Sequence, residues 1–137
     1  MFPPHTRILI VDDMPTLRDL LKAYLRRLGF RGITEADDGR MAYQALLTAR
    51  ASGSPFELVI SDWNMPNMDG IELLKLVRSS PEWKNLPFLI LTTESEKAKV
   101  IEAVTAQVSN YMVKPVDEEM LKDKLKKVYD KLQASKT

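Results

Sequence analysis

A chain of 137 residues, 45% of them apolar, has the length for one compact domain and the means to bury a core. Twenty basic against nineteen acidic residues leave a net charge of +1, so no global field favours nucleic acid or an anionic membrane as a partner. With no cysteine, and with His5 its one histidine, the chain excludes disulfide scaffolds, thiolate metal sites, catalytic thiols and any site needing two histidines.

Residues 1–6 read as a loose N-terminal tail, and His5, in its proline-flanked stretch, does not suit a triad. Ile8 to Val11 is a short continuous apolar run, the mark of a strand buried on both faces. Leu17, Leu20, Leu21, Tyr24, Leu25 and Leu28 then fall at helical spacing, with Gly29 where a helix C-cap belongs. Gly32 to Ala36 is a second strand candidate. Asp38-Gly39 opens a helix through about Ala49, which Gly53-Ser54-Pro55 closes. Leu58 to Ser61 is a third strand, and Ile71, Leu73, Leu74 and Val77 form the next helical face. Pro87 to Leu91 reads as a fourth strand, with a helix from about Ser95 to Gln107 after it. Asn110 to Val113 is a short fifth strand, and Leu121, Leu125, Val128 and Leu132 make one buried helical stripe.

Helical crossovers between five strands, with no tight hairpin, predict an α/β fold: a doubly wound parallel sheet covered on both faces. No repeat, low-complexity segment or linker divides the chain, so residues 1–137 are taken as one domain. The lysine-rich final helix also carries Asp117, Glu118, Glu119, Asp123 and Asp130. It reads as a solvated face, acidic first and basic last, and not as a nucleic-acid surface. No apolar run approaches the roughly 18 residues of a membrane span and no signal-peptide pattern precedes the first strand, so a cytoplasmic protein is expected.

The residues at the carboxyl ends of the strands carry the functional argument. Asp12-Asp13 end the first strand, Asp62 the third, Thr92-Thr93 the fourth and Lys114-Pro115 the fifth. Open parallel sheets bind ligands outside those ends. Each residue has a plainer reading alone: Asp13 as a helix N-cap before Pro15, Thr93 with Glu96 as a capping box, Lys114 as a surface lysine. Together at strand ends they make a site. Oxygen donors without His or Cys suit a hard cation, Mg²⁺ before Ca²⁺. A lysine and a threonine beside the metal suit a phosphoryl group, and with these residue types the nucleophile is a carboxylate. Two acids after the first strand also replace the Gly-rich loop of a nucleotide or flavin fold, so a flavodoxin-like electron carrier is not expected.

This ordered set resembles the receiver domain of two-component response regulators, over about Arg7 to Leu132. The motifs are Asp12-Asp13, DWNMPNMDG at residues 62–70, Leu91-Thr92-Thr93-Glu94, and Tyr111-Met112-Val113-Lys114-Pro115. Trp63-Asn64 and Tyr111 lean towards the single-domain chemotaxis branch of that family. The resemblance implies a flavodoxin-like (βα)5 fold with strand order 2-1-3-4-5. It implies Asp62 as phosphoacceptor, with Mg²⁺ held by Asp12, Asp13, Asp62 and the backbone carbonyl of Asn64. Lys114 would pair with phosphoryl oxygens, aimed into the site by a cis Lys-Pro peptide. Thr92 would turn towards the phosphoryl group, and Tyr111 would follow inward, changing the face made by the fourth helix, fifth strand and fifth helix. Asn64 and Glu94 stand where the family tunes phosphate lifetime.

The partners so implied are a sensor histidine kinase of the chemotaxis type, an output protein such as the flagellar motor switch, and a phosphatase. A monomer that is not an enzyme in its own right is expected, with no DNA-binding output after about Ser135. The rivals are a phosphorelay or phosphate-sink receiver and, remotely, an aspartyl-phosphate hydrolase of the haloacid dehalogenase type. The latter wants Asp-x-Asp after the first strand, where this chain has a contiguous pair. Trp63 is expected as a partly exposed aromatic that reports metal binding, Met65 and Met68 as loop packing, and Trp83 as packing after the third helix. Three departures from the family pattern are Gln107 where glycine is common, Val116 where an aromatic is usual, and Asn110 where a small residue is frequent. All three are expected near the output face, implying retained chemistry and altered partner recognition.

Overall fold

The apolar runs lie side by side as strands in a computed structural model that describes residues 1–93 and 100–135. In chain order the elements are β1 (Arg7–Val11), α1 (Pro15–Arg27), β2 (Gly32–Ala36), α2 (Gly39–Ala51), β3 (Leu58–Asp62) and α3 (Gly70–Ser79). A 3-10 turn at Pro81–Trp83 follows, then β4 (Phe88–Thr92), α4 (Val100–Thr105), β5 (Asn110–Val113) and α5 (Glu118–Ser135). The strands form one sheet in the order β2-β1-β3-β4-β5, every neighbouring pair parallel. The five-stranded α/β fold and its strand order are as expected.

Alternation along the strands divides the core in two. Leu9, Val11, Val59, Phe88 and Ile90 face α2, α3 and α4, where Leu46, Leu73, Leu74, Val77 and Ala103 meet them. Ile8, Ile10, Leu58, Ile60, Leu89 and Leu91 face α1 and α5, against Leu21, Leu25, Leu121, Leu125 and Val128. Strands covered on both faces must be apolar throughout, which is why β3 and β4 are buried at every position.

The helix ends follow their local chemistry. Asp38 caps α2 by accepting the Met41 N–H at 2.9 Å, and Asp69 and Glu72 form a reciprocal capping box on α3. Gly29 takes the left-handed conformation after α1 at φ 103°. Gln107 does the same after α4 at φ 66°, with the paired Gln107 N–H to Val104 and Val108 N–H to Ala103 bonds of a Schellman end. The geometry that glycine commonly serves therefore persists with a side chain in place.

Several expectations need correction. Residues 1–6 are not loose: Phe2 is 6% exposed, stacks edge-on against Tyr129 at 5.1 Å, and Thr6 bonds back to the Pro3 carbonyl. Burial of one aromatic on α5 outweighs the mobility expected of a proline-rich end. Leu20 is exposed, so the α1 stripe is narrower than its leucines suggest. Met14 is the N-cap of α1, so the plainer reading of Asp13 as a cap falls away. Val116 is 7% exposed, packed in the α1/α5 core instead of on an output face. The last turn of α5 carries no basic residue, although Lys126 and Lys127 pair with Asp130 and Asp123 one turn away. Of the helix expected from Ser95 to Gln107, the start lies outside the described residues. No helix is long and apolar enough to cross a membrane among the described residues.

Candidate functional site

Parallel pairing brings the carboxyl ends of β1, β3, β4 and β5 to one edge of the sheet, and the polar residues that end the apolar runs meet there. Asp12, Asp13 and Asp62 each present a carboxylate oxygen within 4.8 Å of the others. Lys114 Nζ lies 2.8 Å from Asp62 Oδ1, and the Trp63 N–H donates to the same oxygen at 2.9 Å. The Lys114–Pro115 peptide is cis. Thr92 is fully buried at the end of β4, and its carbonyl accepts the Lys114 N–H at 2.7 Å, joining the two strand ends.

Burial and like charge make this pocket costly to ionise. Burial pushes the Asp12 carboxyl up to about 6, aided by the charges of Asp62 and Asp13 and opposed by the Met14 amide and Lys114. Burial also raises Asp62 above its ordinary range, with Lys114 pulling it back through both hydrogen bond and charge. Asp12 Oδ1 accepts the Met14 N–H at 2.8 Å, whereas Asp12 Oδ2 is buried without a hydrogen-bond partner. An orphaned buried carboxylate oxygen, facing two further carboxylates, is what a hard cation would satisfy. The donor set is all oxygen and fits Mg²⁺.

The backbone around these groups is held by contacts that sequence reasoning missed. A Cβ on Gly70 would stand 2.2 Å from the Asp62 carbonyl oxygen, and the Gly70 N–H donates to the Trp63 carbonyl at 2.8 Å. Only glycine permits α3 to start so close to the end of β3. Asn67, at φ 68°, donates to Asp38 Oδ2 at 2.7 Å, tying the loop after β3 to the start of α2. Arg18 donates to the Asp12 carbonyl at 2.6 Å and pairs with Glu35 and Asp37, fixing the loop after β1. The one signal in sequence was Asn within a Met/Pro/Gly loop, a residue that tolerates positive φ.

The remaining expected residues divide. Asn64 is exposed next to the cluster, while Met65 and Met68 pack partly buried against the core. Trp63 is 3% exposed, a correction: its ring belongs to the core, and its backbone N–H bonds Asp62. Trp83 packs as expected, edge-on to Tyr43 at 5.7 Å with Arg50 over its ring. Tyr111 is half-buried on β5, with Lys124 Nζ 5.4 Å from its ring centre. Asn110 Oδ1 accepts the Tyr111 N–H at 2.8 Å and lies 3.4 Å from the same ammonium. Glu94 and Glu96 lie outside the described residues.

Comparison with known proteins places the whole chain among relatives. The response regulator receiver domain family matches residues 8–126. The chain is 45% identical over 128 residues to chemotaxis protein CheY-3 of Vibrio cholerae serotype O1, covering 93% of this chain and 95% of that one. It is 44% identical over 126 residues to chemotaxis protein CheY of Pseudomonas aeruginosa, covering 92% and 98%. The solved structure of chemotaxis response regulator CheY4 of Vibrio cholerae superposes with a TM-score of 0.77 at 35% identity, covering 90% of this chain and 98% of that one. An acid cluster at the strand ends, a lysine paired to its central aspartate and a match over most of the chain lead to one conclusion: this protein belongs to the response regulator receiver domain family.

Proposed function

We propose that this receiver is a chemotaxis-type phosphorylation switch in which Asp62 takes a phosphoryl group from the phosphohistidine of a sensor histidine kinase. The observation that carries this reading is Asp62 itself, a buried carboxylate beside two others and 2.8 Å from Lys114. A carboxylate oxygen of Asp62 attacks phosphorus, the P–N bond of the donor breaks, and the imidazole leaves with the bonding electron pair. Lys114 holds positive charge where the new phosphoryl oxygens arrive, and its ammonium exchanges one anionic partner for another. Asp12, Asp13, Asp62 and the Asn64 carbonyl are the residues that would hold Mg²⁺. Bound there, the ion supplies charge that offsets the crowded carboxylates and binds phosphoryl oxygens.

In this reading Thr92 and Tyr111 carry the change to the face made by α4, β5 and α5, and that face binds the output partner, the flagellar motor switch by analogy with the chemotaxis relatives. Asn64 and Glu94 set the lifetime of the phosphoryl group, on its own or with a phosphatase. The domain acts in the cytoplasm as a monomer.

Incubation with Mg²⁺ and a small acyl phosphate, followed by intact mass, tests the assignment. One phosphoryl adduct is expected, lost without Mg²⁺ and absent in Asp62→Asn. An undiminished adduct in that variant sinks the role of Asp62.

A further inference from the structure

At the end of the sheet away from the acid cluster, where β4 and β5 begin, a cleft of about 390 Å³ opens between the ends of α3, α4 and α5. Arg78, Lys84 and Lys131 line it, and among the described residues no carboxylate does. In a chain of net charge +1 this is a local surplus. Lys84 and Lys131 are exposed and make no ion pair among the described residues.

Arg78 is half-buried and bonds two neutral groups: Nε donates to the Gln107 carbonyl at 2.9 Å and Nη1 to the Trp83 carbonyl at 3.0 Å. Burial disfavours its charged form, and among the described residues no carboxylate lines the cleft to offset that. The floor is apolar, with Pro87 and Val128 buried, and Val104 stands 61% exposed at the rim. A second cleft of about 460 Å³, lined by Phe56, Trp83 and Leu86, shares Asn85, Pro87 and Leu132 with the first, so the groove continues across this end of the sheet.

Charge and apolar surface together select the occupant. A small inorganic anion would answer the cations and leave the floor bare, and a purely aliphatic ligand would do the reverse. A single-stranded nucleic acid wants open aromatic faces for stacking. Among the described residues no aromatic lines the cationic cleft, and the Trp83 ring next door is covered by Arg50 at 4.5 Å. The carbonyl ends of α3, α4 and α5 set a weak negative field against any anion. Arg78, Lys84 and Lys131 oppose that field with three positive charges.

We infer that this cleft docks an acidic segment of a protein partner, with carboxylates on Lys84 and Lys131 and an aliphatic side chain on the Pro87, Val128 and Leu132 floor. It lies apart from the crevice of Asp62.

The test titrates ¹⁵N-labelled full chain with an octapeptide of glutamate pairs interrupted by leucine. Saturable amide shifts are expected at Val104, Gln107, Val108, Ser109 and Lys131. Affinity should fall about tenfold or more in Lys84→Glu/Lys131→Glu and weaken with added salt. Both lysines are exposed, so the double variant should keep its melting temperature, and its lost binding is not lost folding. A peptide with glutamine for glutamate should fail to bind. Absent saturation, shifts centred elsewhere, equal binding of the glutamine peptide, or tighter binding of oligo-thymidylate at the same amides would each overturn the inference.

Discussion

Lys114 Nζ and Asp62 Oδ1 stand 2.8 Å apart with 22% and 8% of their side chains exposed, so the lysine is the wet partner of a nearly dry carboxylate. Removing the lysine strands the aspartate. In Lys114→Met the Asp62 carboxyl should titrate higher than in the parent, because burial then acts against less opposing charge. Stability at pH 7.5 should fall by about 2 kcal/mol, less than for a fully buried pair since water reaches Lys114. Carbon-13 titration of the Asp62 carboxyl checks the first outcome, and an unchanged midpoint would refute the coupling.

The acid cluster also sets a pH dependence in the metal-free protein. Asp12 is held at about 6 in the folded state against 3.8 ordinarily, chiefly by burial, so the folded chain binds its proton more tightly. Its favourable contribution is complete below about pH 4 and is lost as pH rises through about 6, by at most about 3 kcal/mol. Asp62, also raised, acts in the same direction. Glu35 and Asp38, held low by their partners, lose their contribution in more acid solution. Urea unfolding in EDTA should therefore show greatest stability in mild acid, and Asp12→Asn should flatten the decline towards neutrality.

Gly70→Ala should be severe. The added Cβ meets the Asp62 carbonyl oxygen at 2.2 Å, a backbone atom that cannot turn aside. A loss of about 3 kcal/mol or more is expected in denaturant titration, together with impaired labelling of Asp62, because the strand end must move.

What was legible in sequence was whatever depends on short-range order. β2 and β5 fall on Gly32–Ala36 and Asn110–Val113 as read, because strand runs bounded by turns announce themselves. The acid cluster was legible because its members end apolar runs, and parallel pairing puts such ends together. Phe2, Trp63 and Val116 were misread because an isolated apolar residue in a loop carries no periodicity to say which way it points. Asn67 and Asp38 are 29 residues apart, and Arg78 and Gln107 are also 29 apart; both links exist only once the helices are packed.

Gln107 tests a local cost. Its φ of 66° places a side chain in the left-handed region, while Val104 and Ala103 carbonyls hold the turn. Gln107→Gly should raise stability by about 1 kcal/mol, the relief of strain exceeding the entropy gained by the unfolded chain. A melting temperature that falls instead would show that the Gln107 side chain contributes contacts worth more than the strain.

Magnesium should raise the melting temperature, because the unfolded chain does not assemble the three carboxylates. At about 100 times the dissociation constant the gain is about 2.7 kcal/mol. Asp13→Ala should weaken that response while easing repulsion in the metal-free protein. Trp63 fluorescence should follow the titration through the backbone bond to Asp62, although its ring is buried. If Asp13→Ala changes neither metal affinity nor metal-free stability, the electrostatic account of the pocket fails.

Lys124 and Tyr111 meet ammonium to ring at 5.4 Å, and Asn110 touches both residues through one oxygen. A ring that swings inward leaves its cation behind. In the proposed switch, the surface around β5 would then differ between two settings in how bare a positive charge it shows as well as in its contour. A partner bearing an acid at the right spot could sense the switch through charge alone, before any of its own side chains had to fit the vacated hollow.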